Sequence, residues 1–240
     1  MSVLIFIFGL IIGSFLNVCI YRIPEGISIV SPGSFCPNCK HPLSWLDNIP
    51  LLSYILLEGR CRYCKEKISL QYPMVELVTG IIFLLFYWRF GLSLDFAIFV
   101  SVSSLLLIAL FIDLRYMLLP DIVVIPCIIL SVIYGILQGV LFNFITAGIF
   151  ALMFYLLRIL FKGGLGTGDI ELVIIFSLML GFYGTLLVII ISSVVGTMYG
   201  LYLIKKGRAE LRSKIPFGPF LISSFLLLSL INIQVFYLPR

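Results

Sequence analysis

The chain has 240 residues, 62% of them hydrophobic and 11% charged. That much apolar surface excludes a soluble domain, and apolar runs of about 17–25 residues have the length that crosses a bilayer. The net charge of +5 comes without a basic stripe interleaved with aromatics, so the expected partner is a lipid bilayer and no nucleic acid.

Apolar runs follow one another along the whole chain and are too long for barrel strands. Backbone polar groups in lipid must be paired within their own segment. The expected fold is therefore an all-α polytopic membrane protein, with about eight transmembrane helices and a small cytoplasmic zinc-binding loop domain. The first run, residues 3–20, has the length of a signal peptide. No basic residue precedes it and no small-x-small cleavage site follows, so it reads as a first span that starts outside. Within it Gly9 and Gly13 form a close-packing helix motif. Asn17 is a polar group at depth, for which an interhelical hydrogen bond is the expected role.

Residues 21–73 form the polar stretch long enough to be a domain, and it holds Cys36-Pro37-Asn38-Cys39 and Cys61-Arg62-Tyr63-Cys64. Two Cys-x-x-Cys knuckles read as a four-thiolate structural zinc site made of Cys36, Cys39, Cys61 and Cys64. Two disulfides or a redox pair are the competing readings. Disulfides need an oxidising compartment, and the charge pattern places this loop in the cytoplasm. Cys19 and Cys127 fall within apolar runs, as ordinary buried residues do.

Residues 74–240 are expected to form a seven-helix membrane domain. Its spans are read at 72–88, with Glu76 one turn inside, then 94–112, 121–138, with Asp121 as N-cap and Pro126 as a candidate kink, and 144–161. A sixth span ends near residue 180 and a seventh near 204, separated by Gly181-Phe182-Tyr183-Gly184, and the eighth covers 219–237. With the N-terminus outside, all but Arg89 and Arg240 of the 16 Lys and Arg residues face the cytoplasm or end a span there. The positive-inside rule selects that orientation.

The chemistry is carried by Gly163-Gly164-Leu165-Gly166-Thr167-Gly168-Asp169, which interrupts two long apolar runs. An ionisable residue at membrane depth is a functional hypothesis by default; the bland alternative is a helix-breaking loop with Asp169 as a solvated cap. A second aspartate, Asp113, ends the apolar run before Leu119-Pro120-Asp121. The topology places both at the cytoplasmic face. Two carboxylates sharing a proton can activate water for attack on a peptide carbonyl, one taking the proton of water and the other supporting the carbonyl oxygen. Asp169 opens a helix, where the positive dipole end favours charge, and Asp113 closes one, where the negative end disfavours it. Asp169 is thus the expected base and Asp113 the expected acid. The lone His41 lies in the cysteine loop, away from the apolar runs.

Gly166-Thr167-Gly168-Asp169 matches the Gly-x-Gly-Asp signature of membrane aspartic peptidases. With Gly13-Ser14-Phe15-Leu16-Asn17-Val18, Tyr21-Arg22-Ile23-Pro24, the paired Cys-x-x-Cys, Gln71-Tyr72-Pro73-Met74-Val75-Glu76-Leu77, and Asp113 with Leu119-Pro120-Asp121, nearly the whole chain resembles the bacterial type IV prepilin peptidases. The resemblance implies a cell-membrane enzyme that cuts the basic leader from prepilins and pseudopilins. It also implies methylation of the new N-terminus, with S-adenosylmethionine as co-substrate and residues 21–73 as the part concerned. The catalytic aspartates carry over onto Asp113 and Asp169, and Asp121 matches a further, non-catalytic aspartate. Asn17, Arg22 and Glu76, polar at span edges, are candidates for the methylation site, with packing and anchoring as the competing role. Peptidase activity alone, or a proton-coupled transporter using the carboxylates as a relay, are the competing functions.

Overall fold

A computed structural model describes residues 1–161, 166–208, 210 and 215–231. Glycines 163 and 164, Leu165 and the end of the eighth expected span lie outside the described residues. The described residues are helical apart from connections, with two isolated β-bridges. By compactness the chain forms two units, Met1–Ile108 and Ala109–Arg240.

The first unit contains α1 (Ser2–Arg22), a 3-10 turn (Trp45–Asn48), a short α2 (Leu52–Leu56), α3 (Gln71–Phe90) and most of α4 (Leu94–Tyr116). Its helices α1 and α3 cross where their glycines lie. A Cβ on Gly9 would come within 2.8 Å of Gly80 Cα, and one on Gly13 within 2.6 Å of Glu76 Cα. In lipid no hydrophobic force drives helices together, so close backbone approach and hydrogen bonds must do so. Asn17 supplies one such bond, donating from Nδ2 to the Tyr72 carbonyl at 3.0 Å. The interhelical role expected of it is the observed one.

The second unit contains the end of α4, α5 (Asp121–Leu137), α6 (Leu141–Leu160), α7 (Thr167–Lys205) and α8 (Gly218–Leu230). Helix α7 packs against α5, α6 and α8. It is continuous where two spans are expected, yet Gly181 sits at φ 68° and ψ −168°, a conformation that breaks the helix and that glycine alone adopts without strain. Val173 from before the break and Ile189 from after it meet in one cluster with Phe150 and Phe154. The two limbs of α7 thus fold back as a hairpin, and counting them separately gives eight apolar helices among the described residues. Among the described residues five helices, with α7 taken whole, are long and apolar enough to cross a membrane, while α5 and α8 are shorter.

Two boundaries differ from expectation with consequences for the site. Helix α4 continues one turn past residue 112 to Tyr116, ending where Met117 takes φ 54°, so Asp113 is inside the last turn. Pro120, not Asp121, is the cap of α5. Its carbonyl accepts the N–H groups of Val123 and Val124, and Asp121 is the first helical residue. Proline fixes the backbone angle that a cap requires, so the side-chain cap is dispensable.

Candidate active site and metal centre

The two Cys-x-x-Cys segments fold alike. Cys36 N–H donates to His41 O at 3.0 Å and Cys61 N–H to Glu66 O at 2.9 Å. Lys40 N–H returns to Cys36 O and Lys65 N–H to Cys61 O, and both lysines take the left-handed conformation, φ 58° and 59°. Bridges Phe35–Pro42 and Arg60–Lys67 close the two knuckles. The His41 and Tyr63 rings join them, with centroids 3.6 Å apart.

This arrangement brings together the four cysteines picked out in the sequence. Their sulfurs all lie within 4.8 Å of one another, with Cys36 Sγ and Cys64 Sγ 3.9 Å apart. Tetrahedral bonds of about 2.3 Å to zinc imply sulfur separations of about 3.8 Å, so the cluster fits a four-coordinate metal. Cys61 is drawn down to about 7, first by the Cys64 backbone N–H and further by that of Tyr63, against the opposing effect of burial. A thiolate is the form that binds metal.

The polar groups around the loop act as braces. Arg22 is buried and donates to the carbonyls of Ser28, Pro32 and Gly33, each at 2.8 Å. Glu76 accepts the Leu51 N–H at 2.9 Å, the residue that caps α2. With the Asn17 bond to Tyr72, every methylation candidate named from sequence has a structural contact. Asn17 Oδ1 is buried without a hydrogen-bond partner. Among the described residues 21–70 there is no strand with a glycine-rich turn of the kind that cradles S-adenosylmethionine in soluble folds, and no residue is assigned to that molecule.

Asp113 and Asp169 are brought together in the second unit. They are 6% and 7% exposed and lie within electrostatic reach of one another. Asp169 stands in the first turn of α7 and accepts the Gly166 N–H on Oδ2 at 3.1 Å. This is the reach-back half of a capping box. Gly218, the first residue of α8, is buried against Asp113, and a Cβ there would collide with Asp113 Oδ2. A Cβ on Gly168 would collide with Leu119. Asp121 stays outside this contact set and lies close enough to Glu171 for the two negative charges to repel. Sequence reasoning passed over Gly218. Its signal is Pro216-Phe217-Gly218-Pro219 at the head of an apolar helix, a pattern that by itself reads as a turn.

Residues 7–90 match the Bacterial Peptidase A24 N-terminal domain, and residues 99–201 match the Type IV leader peptidase family. A protein of Bacillus subtilis (strain 168), Prepilin leader peptidase/N-methyltransferase, is 34% identical over 219 residues, covering 90% of this chain and 88% of that protein. The chain belongs to the type IV leader peptidase family. Two further members of that family carry the same name. The one from Myxococcus xanthus (strain DK1622) is 36% identical over 225 residues, 89% of this chain and 66% of its own length. The one from Aeromonas hydrophila is 34% identical over 254 residues, 91% of this chain and 86% of its own length. No solved structure matches the chain.

Proposed function

We propose that this leader peptidase cuts the basic leader from type IV prepilins or pseudopilins with Asp113 and Asp169 as its catalytic pair, and that it also methylates the new N-terminal residue. The observation that carries the peptidase assignment is the pairing of two almost fully covered carboxylates in one helical unit, within each other's electrostatic reach. Water held between them loses a proton to one and attacks the scissile carbonyl. The other donates its proton to the carbonyl oxygen as the tetrahedral intermediate forms. The intermediate collapses by breaking the C–N bond, and the leaving amine takes a proton from the pair. Asp169 is the base. The Gly166 N–H bond to its Oδ2 is stronger when that oxygen is charged. Asp113, against the bare Gly218, is the acid.

The metal of the cysteine loop is zinc, and its role is structural because Cys36, Cys39, Cys61 and Cys64 fill all four positions. S-adenosylmethionine supplies the methyl group for the second activity, which rests on the relatives' names. The enzyme sits in the cytoplasmic membrane with its N-terminus outside, supported by the positive-inside distribution of Lys and Arg. The substrate's apolar helix is taken from the membrane, and its leader junction is presented at the cytoplasmic edge.

The test is incubation of the purified protein with a full-length prepilin, followed by mass spectrometry of the product N-terminus. A shortened product supports the peptidase reading, and an added methyl group when S-adenosylmethionine is present supports the second activity. An intact substrate together with proton-coupled uptake in vesicles would favour a transporter instead.

A further inference from the structure

We infer that Leu119 is the positioning residue of the carboxylate pair, packed on the bare Cα of Gly168 with its Cδ1 methyl near Gly218, so that its side chain sets the spacing of Asp113 and Asp169. This rests on the reading of that pair as catalytic. Leu119 lies in the short segment between α4 and α5, two residues past the left-handed Met117. A Cβ on Gly168 would overlap Leu119 Cδ1 and come within 2.9 Å of its Cβ and 3.1 Å of its Cγ. The leucine side chain therefore lies flat on the backbone at Gly168. A Cβ on Gly218 would sit 3.7 Å from the same Cδ1 methyl, an ordinary contact distance.

Neither glycine is needed for its backbone angle. The glycines with positive φ are found elsewhere, Gly181 among them, and Gly168 and Gly218 are not of that set. What these two positions require is the missing side chain. Gly168 directly precedes Asp169, and Gly218 lies against Asp113 Oδ2. One apolar side chain thus lies on the backbone next to one carboxylate and comes near the glycine that abuts the other. Leucine has no group that could transfer a proton, so its contribution is distance. Close-packed contacts pass on a displacement, and a misplacement of about 1 Å at reacting groups costs about 100-fold in rate.

The experiment is a double-mutant cycle on the full chain, with prepilin cleavage read as kcat and KM separately and thermal melting followed in parallel. Gly168→Ala should lower kcat about 100-fold with little change in KM. Leu119→Ala should lower kcat about 10-fold by loosening the pair. In the double variant Gly168→Ala/Leu119→Ala two of the three struck atoms, Cδ1 and Cγ, are gone and only the Cβ of residue 119 remains 2.9 Å from the new methyl group, so the two losses should not multiply and activity should recover part of the way toward Leu119→Ala alone. Gly218→Ala should also lower kcat, but Leu119→Ala should not rescue it, because there the obstacle is Asp113 itself. Losses from Gly168→Ala and Leu119→Ala that simply multiply would overturn the inference, as would a loss confined to KM or to melting temperature. Asp113→Asn and Asp169→Asn are run in the same assay. Cleavage by either ends the catalytic reading of the pair, whereas two silent variants beside multiplying losses remove the role of Leu119 alone.

Discussion

The cysteine cluster takes four ligands from two copies of one short pattern, while the carboxylate pair takes its parts from the ends of α4, α7 and α8 and from the segment before α5. In the cluster, the backbone of each knuckle returns on itself within six residues, Cys36 to His41 and Cys61 to Glu66. Local hydrogen bonds place two sulfurs per knuckle, and the four sulfurs together could hold one metal ion. In the pair nothing local brings Asp113 to Asp169. They meet because α7 packs on its neighbours and because Gly168 and Gly218 leave room for Leu119 and for Asp113. A site built from local repeats is expected to tolerate change around it, and a site built from packing is expected to fail when one methyl group is added.

The sharpest way to separate the two regions is to remove the chemistry of one and measure the other. Asp113→Asn and Asp169→Asn should each lower cleavage by about 10⁴-fold, the upper range for loss of a general acid or base, while bound metal stays at the wild-type level by elemental analysis. Metal loss in either variant would mean that the two regions are not independent.

The reverse substitution, Cys36→Ser, should release the metal and lower expression and melting temperature. Among protein that remains folded, cleavage per molecule should change far less than in the aspartate variants. Acid should release metal from the wild-type loop as well, because thiolates must be deprotonated to bind. Retention should therefore decline as pH falls, at values below the free-thiol range because the bound metal competes with protons for the thiolates. Metal retained undiminished in strong acid would contradict a thiolate site.

A third substitution acts on the helix crossing that carries the loop. Gly13→Ala places a methyl group 2.6 Å from Glu76 Cα, and overpacking of this kind costs about 1–3 kcal/mol. The expected readout is a lower melting temperature and a weaker Glu76 brace on Leu51, seen as faster exchange of the Leu51 amide. A fully stable variant would show that α1 and α3 have slack at their closest approach.

Smaller still is Asp121→Asn. Asp121 is the first helical residue after a proline cap, so it loses a favourable charge near the helix start and no cap hydrogen bond. Most cleavage activity should persist, and loss of activity comparable to Asp113→Asn would place Asp121 in the chemistry.

The least effect is expected at Asp47. Its covered carboxylate accepts Ser44 Oγ and Arg62 Nε, each at 2.7 Å. Burial pushes its pKa upward, but the Ser44 and Arg62 hydrogen bonds outweigh this and hold Asp47 below the ordinary carboxylate value. Its contribution to loop stability is therefore complete above the ordinary carboxylate pKa and fades as pH falls through the lowered one. Asp47→Asn should flatten the acid limb of the loop's melting curve slightly and leave neutral-pH cleavage unchanged.

The amino-acid sequence by itself determined what depends on neighbours along the chain. Apolar run length marks the helices, because each must satisfy its own backbone in lipid. The knuckle spacing marks the sulfurs, and Gly9 and Gly13 mark the close face of α1. Tertiary structure decided what depends on residues far apart in the chain. It turned Gly181 into the break of a hairpin within one helix, moved Asp113 a turn inside α4, and gave Asp169 its bond from Gly166. It also laid Leu119 on Gly168, about fifty positions further along the chain. A glycine that lacks a Cβ for a turn and one that lacks it for a neighbour are the same letter, and folding alone distinguishes them.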